Sequence, residues 1–269
     1  MDGIDLIVTP DDDDPDASLV FVDGAVDGRP YRFLLDTGSA RTCVQIDEYT
    51  SGFVPVGTSR SSGLFAAGPH HDLITVPRLE LGPIAKTDVA VARVSPHGPH
   101  TGNLIGMDVL KDHRCHVRLA ELRLLVDPPA DPLAGSIQPL VLDPTNHPYV
   151  DVRFGDAVAQ AAWDTGAGIT VVDLGFVRRH THFFRQVGQS RGTDSTGATM
   201  PSPTFVMAAT VIGGLPFPPH TVAGVDLSRV NATIDLSMDM VLGYSTLSRA
   251  DWWFDFPGRR WAVTKLTTP

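Results

Sequence analysis

Two stretches decide the reading of this chain: RFLLDTGSART, residues 32–42, and QAAWDTGAGIT, residues 160–170. Each sets Asp-Thr-Gly after an apolar run and before small residues, at Asp36 and again at Asp164. Asp, Thr and Gly all favour turns, so one copy says little beyond a turn. Two copies in the same setting ask for more. A carboxylate at the end of an apolar strand is costly to bury unless it is hydrogen-bonded or paired. Two related carboxylates in one chain can solve that problem together.

The surroundings repeat as well. Upstream, SLVFVDGAVDGRPYRFLLDTG and YVDVRFGDAVAQAAWDTG each read as strand, Gly/Asp turn and strand. Downstream, RTCVQI and GITVVDL are apolar and β-branched, so the chain leaves each tripeptide as another strand. An apolar-apolar-Gly segment then follows in each half, ending at Gly106 and Gly243. The aspartates are 128 residues apart and these glycines 137 apart, a surplus that loops absorb cheaply. At the 137-residue offset Val117 falls on Phe254, Leu119 on Phe256 and Leu124 on Trp261, which supports an internal duplication. The expected organisation is an acidic solvated tail over 1–17, a first lobe over 18–127, a Pro-rich linker over 128–147 and a second lobe over 148–269.

If the halves pack about a pseudo-twofold axis, Asp36 and Asp164 meet between them. Like charges that close cannot both ionise, so the pair shares a proton. One carboxyl is then an acid and the other a base at the same pH, which suits attack of water on an amide carbonyl. Gly38 and Gly166 allow close backbone approach, and the Thr37 and Thr165 hydroxyls are placed to bond across the interface. Ser39 follows the first Gly and Ala167 the second. A Ser39 hydroxyl donating to Asp36 predicts that Asp36 holds the charge and Asp164 the proton.

With these motifs the chain resembles the aspartic peptidases, as two retropepsin-like domains in tandem. The resemblance rests on apolar-Asp-Thr-Gly-Ser at Asp36, apolar-Asp-Thr-Gly-Ala at Asp164, and the two apolar-apolar-Gly segments with their psi-loop glycines, Gly106 and Gly243. It covers nearly everything but the tail and linker. It implies an all-β fold with few short helices, in which two pseudo-twofold-related β-barrel lobes flank the active site. It also implies hydrolysis of peptide or protein substrates by a bound water, with no metal or cofactor. Because duplication supplies both aspartates, a functional monomer is expected. Two other roles share the fold: a catalytically silent peptide-binding module, and an acid/base enzyme acting on a non-peptide small molecule.

A lid is expected on each half. The candidates are SSGLFAAGPHH, with Gly63, Leu64 and Phe65, and GTDSTGATMPS, with Ser195 and Gly197. Neither contains Tyr, which favours the retroviral type of flap over the pepsin type. Phe65 either covers the substrate or tucks into its own lobe. In ADWWFDF, strand alternation sends one of Trp252 and Trp253 inward and the other outward.

The remaining composition mainly excludes. A net charge of −10 with 21 basic residues argues against nucleic acid. The ten histidines, among them His70, His71, His113, His116, His180 and His182, show no metal-ligand spacing. No basic region followed by an apolar core opens the chain, and its longest near-apolar run is broken by Gly and Pro, so a cytoplasmic location away from membranes is expected. Cys43 and Cys115 read as reduced thiols, although strand neighbours can bring them together as a disulfide.

Overall fold

The computed structural model describes residues 3–12, 14, 16–95, 102–129 and 136–267. Part of the expected tail (1, 2, 13 and 15) and of the expected linker (130–135) lies outside them. The fold is nearly all β, in two lobes. The predicted hairpins form: Ser18–Val26 with Arg29–Leu35, and Pro148–Phe154 with Ala157–Trp163. Asp27 and Gly28 turn the first with positive φ, as does Gly155 in the second.

Each apolar-apolar-Gly segment is inserted as a short central strand. Leu104–Ile105 runs parallel to Arg29–Leu35 and antiparallel to Cys43–Gln45. Met240–Leu242 does the same between Ala157–Trp163 and Val171–Asp173. A single helical turn follows each, Met107–Leu110 and Tyr244–Leu247.

The halves share a sheet. Its central pair is Arg114–Arg118 against Ala250–Asp255, antiparallel, with His116 opposite Trp253. Those two residues are 137 apart, the same offset as Gly106 and Gly243. An antiparallel pair has a local twofold axis at its midpoint, so this register puts the axis of the duplication through the shared sheet. Arg123–Val126 and Arg260–Leu266 flank the pair on either side.

The outer strands of this sheet correct the expected boundaries. Residues 3–10 are not a tail: Gly3–Pro10 is a strand paired with Arg123–Val126 and with Ser18–Val26, and Ile4 and Leu6 are buried. The charge run begins only at Asp11 and obscured the apolar alternation ahead of it. Within the expected linker, Gln138–Pro139 pairs with Arg260–Leu266, and Val141–Leu142 with Pro148–Phe154. Ile4 faces Leu124, and Gln138 faces Trp261, its equivalent. The tail strand and the linker strand are thus the same element of the two repeats: Gln138–Pro139 ends the shared sheet on one side, and Gly3–Pro10 carries it on into the first lobe through Ser18–Val26.

Aromatic packing is concentrated in the second half. Trp163 lies 4.4 Å from Phe254 and 6.0 Å from Trp252, ring centre to ring centre. Contrary to the alternation argument, Trp252 and Trp253 are both buried. Every residue of Ala250–Asp255 is buried, so protein covers both faces of this strand. Cys43 and Cys115 are free thiols, each pushed up to about 12 by burial. Among the described residues no helix is long and apolar enough to cross a membrane, and no cluster of His, Cys, Asp or Glu could hold a metal ion.

Candidate active site

Asp36 and Asp164 each sit one residue past a strand end, after Leu35 and Trp163. The inserted strand fixes each backbone: the Asp36 N–H donates to the Ile105 carbonyl and the Asp164 N–H to the Leu242 carbonyl, both at 3.0 Å. The following loops are tied down alike. Met107 N–H donates to the Ser39 carbonyl and Tyr244 N–H to the Ala167 carbonyl, both at 2.8 Å. Gly106 and Gly243 are needed where these segments pass. A Cβ on Gly106 would lie 2.7 Å from the Arg41 carbonyl carbon, and one on Gly243 2.4 Å from the Ile169 carbonyl oxygen.

The threonines join the halves. Thr37 N–H donates to Thr165 Oγ1, and Thr165 N–H to Thr37 Oγ1, both at 3.1 Å. Thr37 Oγ1 in turn donates to the Trp163 carbonyl across the interface at 2.8 Å. Both threonines are buried, so these bonds form away from competing water.

This grip brings the carboxyls together. Each lies against the other half's glycine, and the two carboxyls interact across the interface. A Cβ on Gly38 would stand 2.4 Å from Asp164 Oδ2, and one on Gly166 2.5 Å from Asp36 Oδ1. Burial pushes Asp36 well above the usual carboxylate range, and the Asp164 charge pushes the same way. Burial raises Asp164 too, but N–H groups from Gly166 at 2.8 Å and Gly38 at 3.1 Å converge on its Oδ1 and favour its charged form, helped by His147. Gly38 and Ser39 N–H groups favour charge on Asp36 as well, and the two bonds to Asp164 Oδ1 favour charge on Asp164, opposite in direction to the expectation built on Ser39. The Ser39 hydroxyl donates instead to the Arg41 carbonyl at 2.9 Å.

The lid candidates are hairpin tips: Gly57–Ser62 with Ala67–Leu81, and Phe184–Thr193 with Thr199–Met207. Gly63, Leu64 and Phe65 form the first tip, and Ser195 and Gly197 lie on the second. The tips meet. Phe65 does not tuck into its own lobe. With Leu64 it packs against a cluster of the second half that includes Val171 and Val225, and which Ala167 and Ile169 also join. The flap and the loop that follows Asp164 thereby pack against the same cluster.

Several supporting residues were missed in the sequence. Thr42 Oγ1 accepts from Gly106 N–H, and Thr170 Oγ1 from Gly243 N–H, both at 3.1 Å. Thr42 in turn donates through N–H and hydroxyl to Asp108, at 2.9 and 2.7 Å. Thr170 is held by the Ser245 hydroxyl at 2.9 Å and by Thr246, which also contacts the buried His220 at 2.7 Å. A signal for this was present: a Thr stands six residues after each Asp.

Residues 22–112 match the family model described as gag-polyprotein putative aspartyl protease, a span from the first hairpin through Asp36 to the helical turn after Gly106. Among solved structures the chain is similar to the aspartic proteinase from Irpex lacteus, with a TM-score of 0.58 and 13% identity over 93% of this chain and 94% of that one. That likeness extends the fold over both lobes. No curated protein sequence matches the chain.

Proposed function

We propose that this chain, a member of the aspartic peptidase superfamily, is an endopeptidase that hydrolyses peptide bonds with Asp36 and Asp164 as its catalytic pair. The observation that supports this reading is the reciprocal Thr37–Thr165 bonding next to two buried carboxyls, each of which lies against the other half's glycine. Asp164, held charged by two backbone N–H groups, takes a proton from the attacking water. Asp36, held protonated by burial and by its charged neighbour, donates to the substrate carbonyl oxygen. When the tetrahedral intermediate collapses, the nitrogen is protonated and the pair returns to its starting state. The substrate is a peptide or protein segment lying between the lobes under the paired hairpins. Both aspartates come from one chain, so a monomer suffices for catalysis.

The test is cleavage of a mixed peptide library from about pH 3 to 7.5, comparing wild type with Asp36→Asn and Asp164→Asn. Proton-transfer groups contribute about 10²–10⁴-fold each, so either substitution should reduce cleavage at least about a hundredfold. Folded wild type that cuts nothing across this range, or a single mutant that keeps full activity, would overturn the reading.

A further inference from the structure

The two hairpin tips differ chemically, and the difference is directional. The first tip presents backbone donors. Phe65 N–H donates to Asp194 Oδ2 at 2.6 Å and Ala66 N–H to the same oxygen at 3.2 Å. The second tip supplies that acceptor on a side chain with only 7% of its surface exposed. Asp194 Oδ1 has separate work in its own turn, accepting from the Thr196 N–H at 2.9 Å, the Thr196 hydroxyl at 2.6 Å and the Ala198 N–H at 3.3 Å. Burial opposes ionisation of this carboxyl, but the Thr196, Phe65 and Ala66 donors outweigh it and hold Asp194 below the usual range. A third bond grips the first tip from elsewhere in the second half: Arg229, in the helical turn Ser228–Asn231, donates to the Gly63 carbonyl at 2.7 Å. The contact is close enough that a Cβ on Gly63 would stand 2.2 Å from Asp194 Oδ2.

We infer that Asp194 and Arg229 are positioning residues that latch the first-half flap shut over the catalytic pair and retain bound substrate beneath it. Identical tips related by a twofold axis present the same groups to each other, so neither can be only donor or only acceptor. Duplication within one chain removes that constraint. Here one tip has become the donor and the other the acceptor, and a charge-assisted bond replaces contact between equals. The apolar docking of Leu64 and Phe65 against the second-half cluster that includes Val171 and Val225 gives the closed flap its seat. The bonds to Asp194 and Arg229 fix its register. Opening breaks all three bonds at once, which makes closure cooperative. The kinetic consequence rests on the peptidase reading, whereas the latch itself does not.

The division of labour between the two Asp194 oxygens supplies the test. In Asp194→Asn the amide oxygen can keep the turn bonds to Thr196 and Ala198, while the amide NH₂ replaces the acceptor that faced Phe65 and Ala66. Arg229→Ala leaves the Asp194 turn untouched and serves as the second variant. Amide hydrogen exchange is followed on the full chain for residues 63–66, with the strand Pro148–Phe154 as internal reference. The Phe65 and Ala66 amides should be protected in wild type and exchange about tenfold faster or more in Asp194→Asn. In Arg229→Ala the acceleration should be smaller, with the reference strand unchanged in both variants. On a cleaved peptide, Asp194→Asn should raise KM about three- to tenfold and leave kcat within about twofold. Unprotected tip amides in wild type, or protection that survives Asp194→Asn, would overturn the latch whether or not the chain cleaves peptides. A fall in kcat at unchanged KM would also overturn it, because it would assign Asp194 to the chemical step.

Discussion

The two Asp-Thr-Gly loops share a plan and differ in what holds them up. In the first half, Thr42 is anchored on the carboxylate of Asp108, which accepts its N–H and its hydroxyl. In the second, the equivalent Thr170 is anchored by neutral groups, the hydroxyls of Ser245 and Thr246, with His220 behind them. Yet the bonds each threonine makes to its inserted glycine are the same length. So are the bonds from each catalytic aspartate's N–H to its inserted strand. The position of the carboxyls relative to the twofold axis is thus preserved, while the shell that enforces it has diverged. A duplicated site needs equal geometry at its axis but tolerates unequal chemistry one layer out.

The sharpest way to break this symmetry is at the axis itself. Gly38→Ala and Gly166→Ala each drive a methyl into the opposite carboxyl, at 2.4 and 2.5 Å. Relief requires one carboxyl to rotate out of the shared-proton geometry. Misplacing reacting groups by about an ångström costs on the order of a hundredfold, and either variant should lose at least that in kcat/KM. Measured on purified proteins with unchanged circular dichroism, equal losses would support the symmetric axis. A variant that remained fully active would break it.

One layer out, the halves should respond unequally. Asp108→Ala strips Thr42, which is fully buried, of the acceptor for both its donors, and should cost about 2–4 kcal/mol of stability. Ser245→Ala removes one neutral bond to Thr170 and should cost about 1 kcal/mol. Urea unfolding of both variants reads the difference directly. Equal costs would mean that the charged anchor adds nothing over the neutral one.

This layering also explains what the sequence made legible. Elements governed by local pattern could be read: hairpins flanking Gly/Asp turns, the strand after each tripeptide, and the inserted apolar-apolar-Gly strands. Asp36 and Asp164 stood out because a rare motif recurred at matching distances. The opening strand was hidden, since its neighbour Asp11–Asp16 outweighed a short alternation, and its equivalent Gln138–Pro139 was hidden among prolines. Their place in the shared sheet depends on partners more than 110 residues away. The roles of Asp108, Asp194 and Arg229 arise only from tertiary contact. An acidic residue in a turn reads as solvated until the fold aims backbone donors at it.

The dyad offers a finer comparison, through pH. Two backbone N–H groups converge on Asp164 Oδ1, so Asp36→Asn keeps the carboxyl best placed to hold charge, whereas Asp164→Asn forces any remaining charge onto Asp36. A carboxyl whose folded pKa is raised contributes stability that is fully present below its unfolded pKa of about 3.8–3.9 and lost as pH rises through the folded value. Near pH 7, Asp36→Asn should therefore melt higher than Asp164→Asn, by about 2–4 °C for each kcal/mol of charge burial it relieves. The gap should close as the pH falls and Asp36 becomes protonated in the other variant. Thermal melts at about pH 7 and pH 4 decide this; a reversed order would move the proton to Asp164.

The smallest expected effect concerns the residue that follows each Asp-Thr-Gly, Ser39 in one half and Ala167 in the other. If the Ser39 hydroxyl bonded Asp36, removing it would raise that carboxyl further and displace a limb of the pH–activity profile. The hydroxyl is instead engaged with the Arg41 carbonyl at 2.9 Å. What favours charge at Asp36 from this residue is the backbone N–H, which alanine keeps. Ser39→Ala should therefore shift neither limb by more than about half a pH unit, while losing about 0.5–1.5 kcal/mol of stability from the local bond. A clear upward shift of the profile would show that the hydroxyl turns toward Asp36 in the working enzyme. The asymmetry of the pair would then arise from this side chain and not from the two N–H groups that converge on Asp164.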